Sequence, residues 1–264
     1  MIILITGVTS GFGKAMAERL SADGHTVYGT HRREVEPIKN VHYIKADVRS
    51  DDDCRAAVQQ VLQEQGRIDV FISNAGMGIG GPLEFCSLEQ AQLQMDTNWM
   101  GMVRCLHWVL PAMRAQKQGK IICFSSIGGL MGLPFQGLYS ASKFAIEGYC
   151  EALRLETKKS GIKVVVIEPG DFATSFTASR NSVAGPEVHE AYPSYARSLA
   201  SIEKDETGGL KPEYLAGKIS RIVTKRNPRY HYIISTLEQR LSVFLKAILP
   251  PSWFAAILGS YYHL

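Results

Sequence analysis

The sequence predicts an α/β domain built on a doubly wound parallel sheet with helices on both faces. Three observations point there. Short apolar runs alternate with longer stretches of helical period. The runs are nearly continuously apolar, as strands covered on both faces are, rather than alternating apolar and polar. The first run passes through a glycine-rich turn directly into the first helical stretch. One large domain over 1–264 accommodates all 264 residues, and neither an internal repeat nor a linker marks a second.

In chain order, the expected strands are "IILIT", "TVYGTH", "VHYIKA", "DVFISNAG", "KIICFSS" and "IKVVVIEPG". Between them, 12–23, 51–65 and 88–117 carry helical spacing, and "GLYSASKFAIEGY" at 137–149 also reads as helix. About 175–210 is rich in Ser, Ala, Gly, Pro and polar residues without a clean period, so a mobile substrate lid is expected there. A helix at 212–226 and a strand near 229–234 follow. From about 235 to 264 an amphipathic segment sets Leu237, Leu241, Phe244, Leu245 and Ile248 on one side.

Apolar residues make up 45% of the chain and charged residues 20%, which supports a packed core and excludes disorder. The net charge of +4 is small and no Lys/Arg block is dense enough for nucleic acid. Cys54, Cys86, Cys105, Cys123 and Cys150 are scattered, odd in number and form no CxxC pair, so neither a disulfide framework nor a metal site is expected. A reducing, cytoplasmic location fits. The opening "MIILITG" has neither a basic leader region nor a cleavage site, so no signal peptide is expected. The most apolar stretch, 241–262, is broken by Lys246 and Pro250–Pro251.

"TGVTSGFG" at 6–13 joins the first strand to the first helix. Gly7 suits the tight turn, Gly11 the approach of a pyrophosphate, and Gly13 close packing of helix on strand, with phosphates at the helix N-terminus. The same glycines could also make an ordinary β–α turn. The second strand ends at His31, Arg32 and Arg33, where a carboxylate gripping the ribose hydroxyls of NAD would be expected. Basic groups there suit the extra phosphate of NADP. The alternative is a solvated basic turn.

Tyr139 and Lys143 lie one helical turn apart on one face. An ammonium beside a phenol favours the phenolate and makes a general acid/base near neutrality; the alternative is a core tyrosine beside a surface lysine. Ser126, thirteen residues upstream, ends a strand at the edge where parallel sheets bind ligands. Asn98 in "DTNWMG" and "SNAG" at 73–76 complete the pattern.

These motifs resemble the short-chain dehydrogenase/reductase superfamily over roughly 1–175. They comprise TGxxxGxG at 6–13, "ADV" at 46–48, "SNAG" at 73–76, "TN" at 97–98, Ser126, "YSASK" at 139–143 and "PGDFAT" at 169–174. The run at 125–156 is similar to the branch containing 17β-hydroxysteroid and retinol dehydrogenases. Ser73 departs from the common "NNAG", whose second asparagine is kept as Asn74.

The resemblance implies a Rossmann fold and a catalytic set of Asn98, Ser126, Tyr139 and Lys143. Tyr139 would exchange the proton with the substrate oxygen, Ser126 orient that oxygen, Lys143 hold the nicotinamide ribose and lower the tyrosine pKa, and Asn98 support a water relay. The implied cofactor contacts are Gly7, Thr9, Ser10, Gly11, Phe12 and Gly13 at the phosphates, Arg32 with NADP(H) preferred over NAD(H), and Asp47 and Val48 at the adenine. Asn74, Ala75 and Gly76 would line the nucleotide, and Pro169, Gly170, Phe172 and Thr174 the nicotinamide.

Leu130, Leu133, Pro134, Phe135, Phe172 and Phe176 suggest an apolar pocket wall for a lipophilic alcohol or ketone, such as a steroid, retinoid or keto lipid. His189, Tyr192 and Tyr195 in the lid could meet a polar end of the substrate; the alternative for the lone histidine is simple exposure. Ser140, Ala141, Ala145 and Gly148 would permit close helix packing in a homo-oligomer, a dimer or tetramer. The C-terminal segment has three readings: internal packing, an oligomer contact, or peripheral membrane contact. The rival to an oxidoreductase is a catalytically silent NADP(H)-sensing regulator or scaffold.

Overall fold

The computed structural model describes residues 1–34 and 36–264. Its elements are β1 (Ile2–Ile5), α1 (Gly11–Ala22), β2 (Thr26–His31), β3 (Val41–Lys45), α2 (Asp51–Gln65), β4 (Val70–Ser73), β5 (Ile79–Gly80), α3 (Leu88–Met95), α4 (Gly101–Ala115), β6 (Gly119–Phe124) and α5 (Gly137–Glu156). Then follow β7 (Ile162–Pro169), β8 (Asn181–Ser182), α6 (Pro186–Ala191), α7 (Tyr195–Thr207), α8 (Pro212–Thr224), β9 (His231–Ile234), α9 (Leu237–Ile248) and α10 (Pro251–Tyr261).

Seven strands form one parallel sheet in the order β3-β2-β1-β4-β6-β7-β9. The apolar strand runs are explained by the two layers they feed. In β1, Leu4 packs with α2, α4 and α5 on one face, while its neighbours Ile3 and Ile5 pack with α1 and α8 on the other. The same division separates Ile121 from Ile122 and Val164 from Val165. Both faces are dry, so polar alternation never appears.

Local signals set the helix ends. Ser50 caps α2 by accepting from Asp53 N, and three aspartates in the first turn complement the helix dipole. Ser87 and Gln90 form a capping box on α3, and Pro212 starts α8. The end of α8 is closed from the sheet: the buried Lys120 of β6 donates to the carbonyls of Ile222 (3.0 Å), Val223 and Lys225 (2.8 Å). Burial pushes the Lys120 ammonium down to about 8, and those carbonyls take the place of water.

Three regions depart from the sequence reading. The stretch 88–117 is α3 and α4 joined by a π-helical turn at Asp96–Met100 rather than one helix. The lid region is ordered into β8, α6 and α7; β8 pairs in parallel with β5, Asn181 on Ile79 and Ser182 on Gly80. Its helical period is hidden because α7 is short and buries only Tyr195, Ser198, Ile202 and Glu206, half of them polar. The C-terminal segment is two helices, α9 and α10, divided at Pro250–Pro251 because neither proline can continue the helix before it. The five cysteines are free thiols, and among the described residues no helix is long and apolar enough to cross a membrane.

Candidate active site

The strand order reverses between β1 and β4: β2 and β3 lie to one side, and β6, β7 and β9 to the other. The loops leaving the carboxyl ends of β1 and β4 part there and open a crevice. That crevice is one end of a cavity of ≈ 1010 Å³ that continues past the ends of β6 and β7 to α9 and α10.

At the β1 end, Gly7 has φ +73°, a backbone conformation that costs a side-chain-bearing residue strain. A Cβ on Gly13 would run into the Gly7 carbonyl and come within 2.7 Å of Asn74 Nδ2. Asn74 is held in that position, donating to Thr6 O (3.0 Å) and Gly7 O (2.8 Å), while Thr6 Oγ1 accepts from Asn74 N and Ala75 N. Gly13 and Asn74 thus lock the turn, Gly13 from beneath, and leave Gly7, Thr9, Ser10, Gly11 and Phe12 on the cavity wall beside Asn74. The first turn of α1 has no acidic residue, and its N-cap Ser10 makes no side-chain cap, so donors and dipole remain available to phosphate.

Beyond the end of β2, Arg32 and Val48, the residues expected at the dinucleotide, line the cavity together with His31, Arg33 and Arg49. Asp47 does not line it. Its carboxylate is gripped by Arg49 (2.6 Å to Nη2) with Arg32 Nη1 3.6 Å away. Hydrogen bonding to Arg49 is the main cause that holds Asp47 down at about 2. The basic group missed in the sequence is Arg49, whose signal was its place directly after "ADV". Three arginines against one pinned aspartate leave this end positively charged and fit a phosphate.

At the centre, Tyr139 and Lys143 of α5 meet Ser126 at the end of β6. The Ser126 hydroxyl accepts from Gly128 N (3.1 Å), donates to Pro169 O (3.5 Å) and favours the phenolate of Tyr139. Lys143 Nζ lies 5.5 Å from the Tyr139 ring centroid and donates to Phe124 O (2.8 Å). The expected lowering of the phenol is not found: burial pushes Tyr139 up to about 12, outweighing the Ser126 hydroxyl beside it. The ammonium is weakened as a tuner because burial brings Lys143 itself down to about 8.

Asn98 sits in the π-helical turn, is buried, and does not line the cavity. Its Oδ1 accepts from Met77 N (2.8 Å), and its Nδ2 donates to Met77 O and Ser142 Oγ (both 3.0 Å). Ser142 Oγ in turn donates to Tyr139 O (2.7 Å). The asparagine therefore braces α5 against the 74–77 loop.

Of the remaining residues expected at the cofactor, Asn74, Ala75, Gly76, Pro169, Gly170, Phe172 and Thr174 line the cavity. Of the expected apolar wall, Leu133, Phe172 and Phe176 line it, whereas Leu130, Pro134 and Phe135 do not. His189, Tyr192 and Tyr195 also stay outside and serve the lid itself. Tyr195 is buried, donates to Val183 O (3.0 Å) and packs on Phe135, and Tyr192 donates to Glu84 (2.6 Å). Ser140 faces inward, accepting from Leu133 N (3.1 Å), rather than outward to a second subunit. The wall missed in the sequence comes from the C-terminal helices, including Leu245, Ile257, Leu258 and Tyr261; a helical stripe carries no motif that says which cavity it will close.

The short chain dehydrogenase family profile matches residues 1–184. The chain is 48% identical to a 3-ketodihydrosphingosine reductase of Bacteroides thetaiotaomicron over 99% of this chain and 97% of that one. It is 37% identical to human 17-beta-hydroxysteroid dehydrogenase type 1 over 66% of this chain and 58% of the relative. A short-chain dehydrogenase structure from Streptomyces avermitilis superposes with a TM-score of 0.82 at 26% identity, covering 99% of this chain and 96% of the other. The parallel sheet, the glycine turn and the match over most of the length agree: the chain belongs to the short-chain dehydrogenase/reductase family of oxidoreductases.

Proposed function

We propose that the protein is an NADPH-dependent reductase of a lipophilic ketone, best a long-chain keto lipid of the class in the Bacteroides relative's name, with Tyr139 as the proton donor. The observation that carries the reading is the continuity of one cavity from Arg32 and Arg49, past Ser126 and Tyr139, to the apolar side chains of α9 and α10. When bound, the dinucleotide supplies a hydride to the carbonyl carbon. The arginines would hold its extra phosphate, and the α1 N-terminus its pyrophosphate.

Ser126 and the Tyr139 phenol would together hold the carbonyl oxygen, and Tyr139 Oη would give it the proton. A phenol held near 12 keeps its proton at neutral pH, the form needed for reduction. Lys143, charged below about 8, would stabilise the phenolate left behind and return a proton. The brace at Asn98 supports a positional role beside the expected relay.

The outer faces of α9 and α10 extend the reading. Leu237, Leu241, Phe244, Ile248 and Trp253 are 53–80% exposed, and the half-exposed Ile257 and Tyr261 also border the cavity. An apolar rim of this kind suits a lipid surface that delivers the substrate. On α5, Ala141, Phe144 and Gly148 are exposed and support helix packing between subunits. The reading is tested by NADPH consumption across a panel of long-chain keto lipids, steroids and retinal. Turnover fastest with the keto lipid is expected. NADPH binding without turnover of any of them would favour the sensing scaffold.

A further inference from the structure

Each reduction draws one proton through Tyr139, and that proton has to be replaced from solvent. Asn98, expected to support a relay, spends its side-chain amide on Met77 and Ser142 and does not line the cavity. Lys143 has a second titratable group on its own helix. Glu147 follows it one turn later on α5, and the Glu147 charge favours the ammonium. From there a row of side chains crosses the ends of β7 and β9, the edge strand of the sheet. One carboxylate oxygen from each of Glu147 and Glu168 and the His231 Nδ1 atom all lie within 4.8 Å of one another. His231 Nδ1 is hydrogen-bonded to Glu168 Oε1 and stands 3.8 Å from Glu147 Oε2.

The row opens at one end only. The Glu168 side chain is 0% exposed and that of Glu147 14%, whereas that of His231 is 46% exposed. Glu147 Oε1 is buried and has no hydrogen-bond partner among the described residues. A closed structural ion pair would not leave an oxygen in that state, because an unsatisfied buried acceptor costs stability. Burial also brings groups of very different ordinary acidity close together: Glu147 rises to about 7, Glu168 rises to about 8, and Lys143 falls to about 8. A proton passes readily along groups of which none holds it much more tightly than the next. The other titratable groups around the row are Cys123 of β6, Cys150 of α5 and Tyr230 of β9, with Glu151 and Arg154 of α5 acting on Tyr230. The Cys123 thiol beside it raises Cys150 and burial raises Tyr230, so both stay neutral.

We propose that Glu147, Glu168 and His231 form a proton port that restocks Lys143 from solvent at the edge of the sheet. Once Tyr139 has given its proton to the substrate oxygen, Lys143 returns one to the phenolate. The neutral amine takes the carboxyl proton of Glu147, Glu147 is recharged from Glu168, Glu168 from His231 Nδ1, and His231 Nε2 takes a proton from water. Every group ends as it began, and one solvent proton has entered for each alcohol formed. The step between Lys143 and Glu147 spans one helical turn, which the flexible lysine stem crosses. None of the three port residues lines the cavity, so they act through Lys143 as positioning residues rather than on the substrate. The port rests on the reading of the cavity as a reductase site and says how that site is supplied with protons.

The experiment measures kcat and its solvent deuterium isotope effect for NADPH-dependent reduction of a long-chain keto lipid by the wild type, Glu147→Gln, Glu147→Asp and His231→Gln, with Tm and the Kd for NADPH beside them. Glu147→Gln is expected to lower kcat by about tenfold, short of the roughly 10²–10⁴-fold that removing a general acid costs. Its isotope effect should rise while Tm and Kd hold, and Glu147→Asp should recover most of the rate. His231→Gln keeps an N–H for Glu168 at an exposed position, so it carries the test even where Glu147→Gln loses stability. It should also be slowed, and imidazole added to the buffer should restore the rate. A structural role would move Tm and would not answer to imidazole. Full kcat in either glutamine variant, or a slowed His231→Gln protein indifferent to imidazole, overturns the port and leaves the reductase standing. A wild type that binds NADPH and reduces no keto lipid, steroid or retinal overturns the reductase reading and the port with it.

Discussion

The two ends of the cavity are built on different principles. At the nucleotide end, residues 6–13 and 74–76 meet through backbone: a glycine at φ +73°, a close approach that only Gly13 allows, and an asparagine tied to two carbonyls. At the substrate end, the wall is made by side chains of the lid and of α9 and α10, and α9 buries no residue at all. The first arrangement fixes one shape for one ligand. The second leaves apolar surface exposed and is free to differ between proteins that share the first. The difference teaches where substitutions should be silent and where they should not.

The largest effect should come from Gly13→Val. Its branched side chain has to displace the Gly7 carbonyl or Asn74, at a cost of roughly 2–3 kcal/mol, and the turn that receives phosphate goes with it. Thermal denaturation and NADPH fluorescence titration should show a lowered Tm and no cofactor binding. A near-native Tm with intact binding would break the backbone half of the comparison.

Next is Arg32→Asp, expected to weaken NADPH by about 10–100-fold relative to NADH in direct binding. Because Arg49 also lines this end, a smaller but still selective loss would sharpen the assignment toward a shared site. Equal weakening of both cofactors would place the extra phosphate elsewhere.

The smallest effect on stability should follow serine at Leu241, Phe244 and Trp253 together, since exposed positions change stability by no more than about 0.5 kcal/mol each. The same protein should lose its flotation with phospholipid vesicles. A large drop in Tm, or dissociation of an oligomer by light scattering, would assign the face to a subunit contact instead.

Legibility in the sequence follows the same division. The sheet, α1, α2 and α8 could be read because β-branched runs, glycine turns and caps such as Ser50 are local signals. Ser126, Tyr139 and Lys143 could be read because a fixed spacing on a strand end and one helix face brings them together. Asn98 was found as a residue but not as a brace, since the π-helical turn that aims it has no sequence mark. The Arg180–Glu206 ion pair and the Asp171–Gln239 contact were invisible because one partner of each comes from a later helix. The phenol's acidity was read in the wrong direction because spacing reports the neighbouring ammonium but not the water that burial removes from both groups.

In the proposed reaction, hydride and proton meet at one carbonyl held by Tyr139. The most direct test is mass spectrometry of the alcohol formed from a long-chain keto lipid and NADPH deuterated at its transferable position, with Tyr139→Phe run beside the wild type and cofactor binding checked in both. One deuterium is expected on the carbinol carbon in the wild type, and a rate lower by about 10²–10⁴-fold in the variant with NADPH still bound. Deuterated alcohol forming as fast in the variant would contradict it.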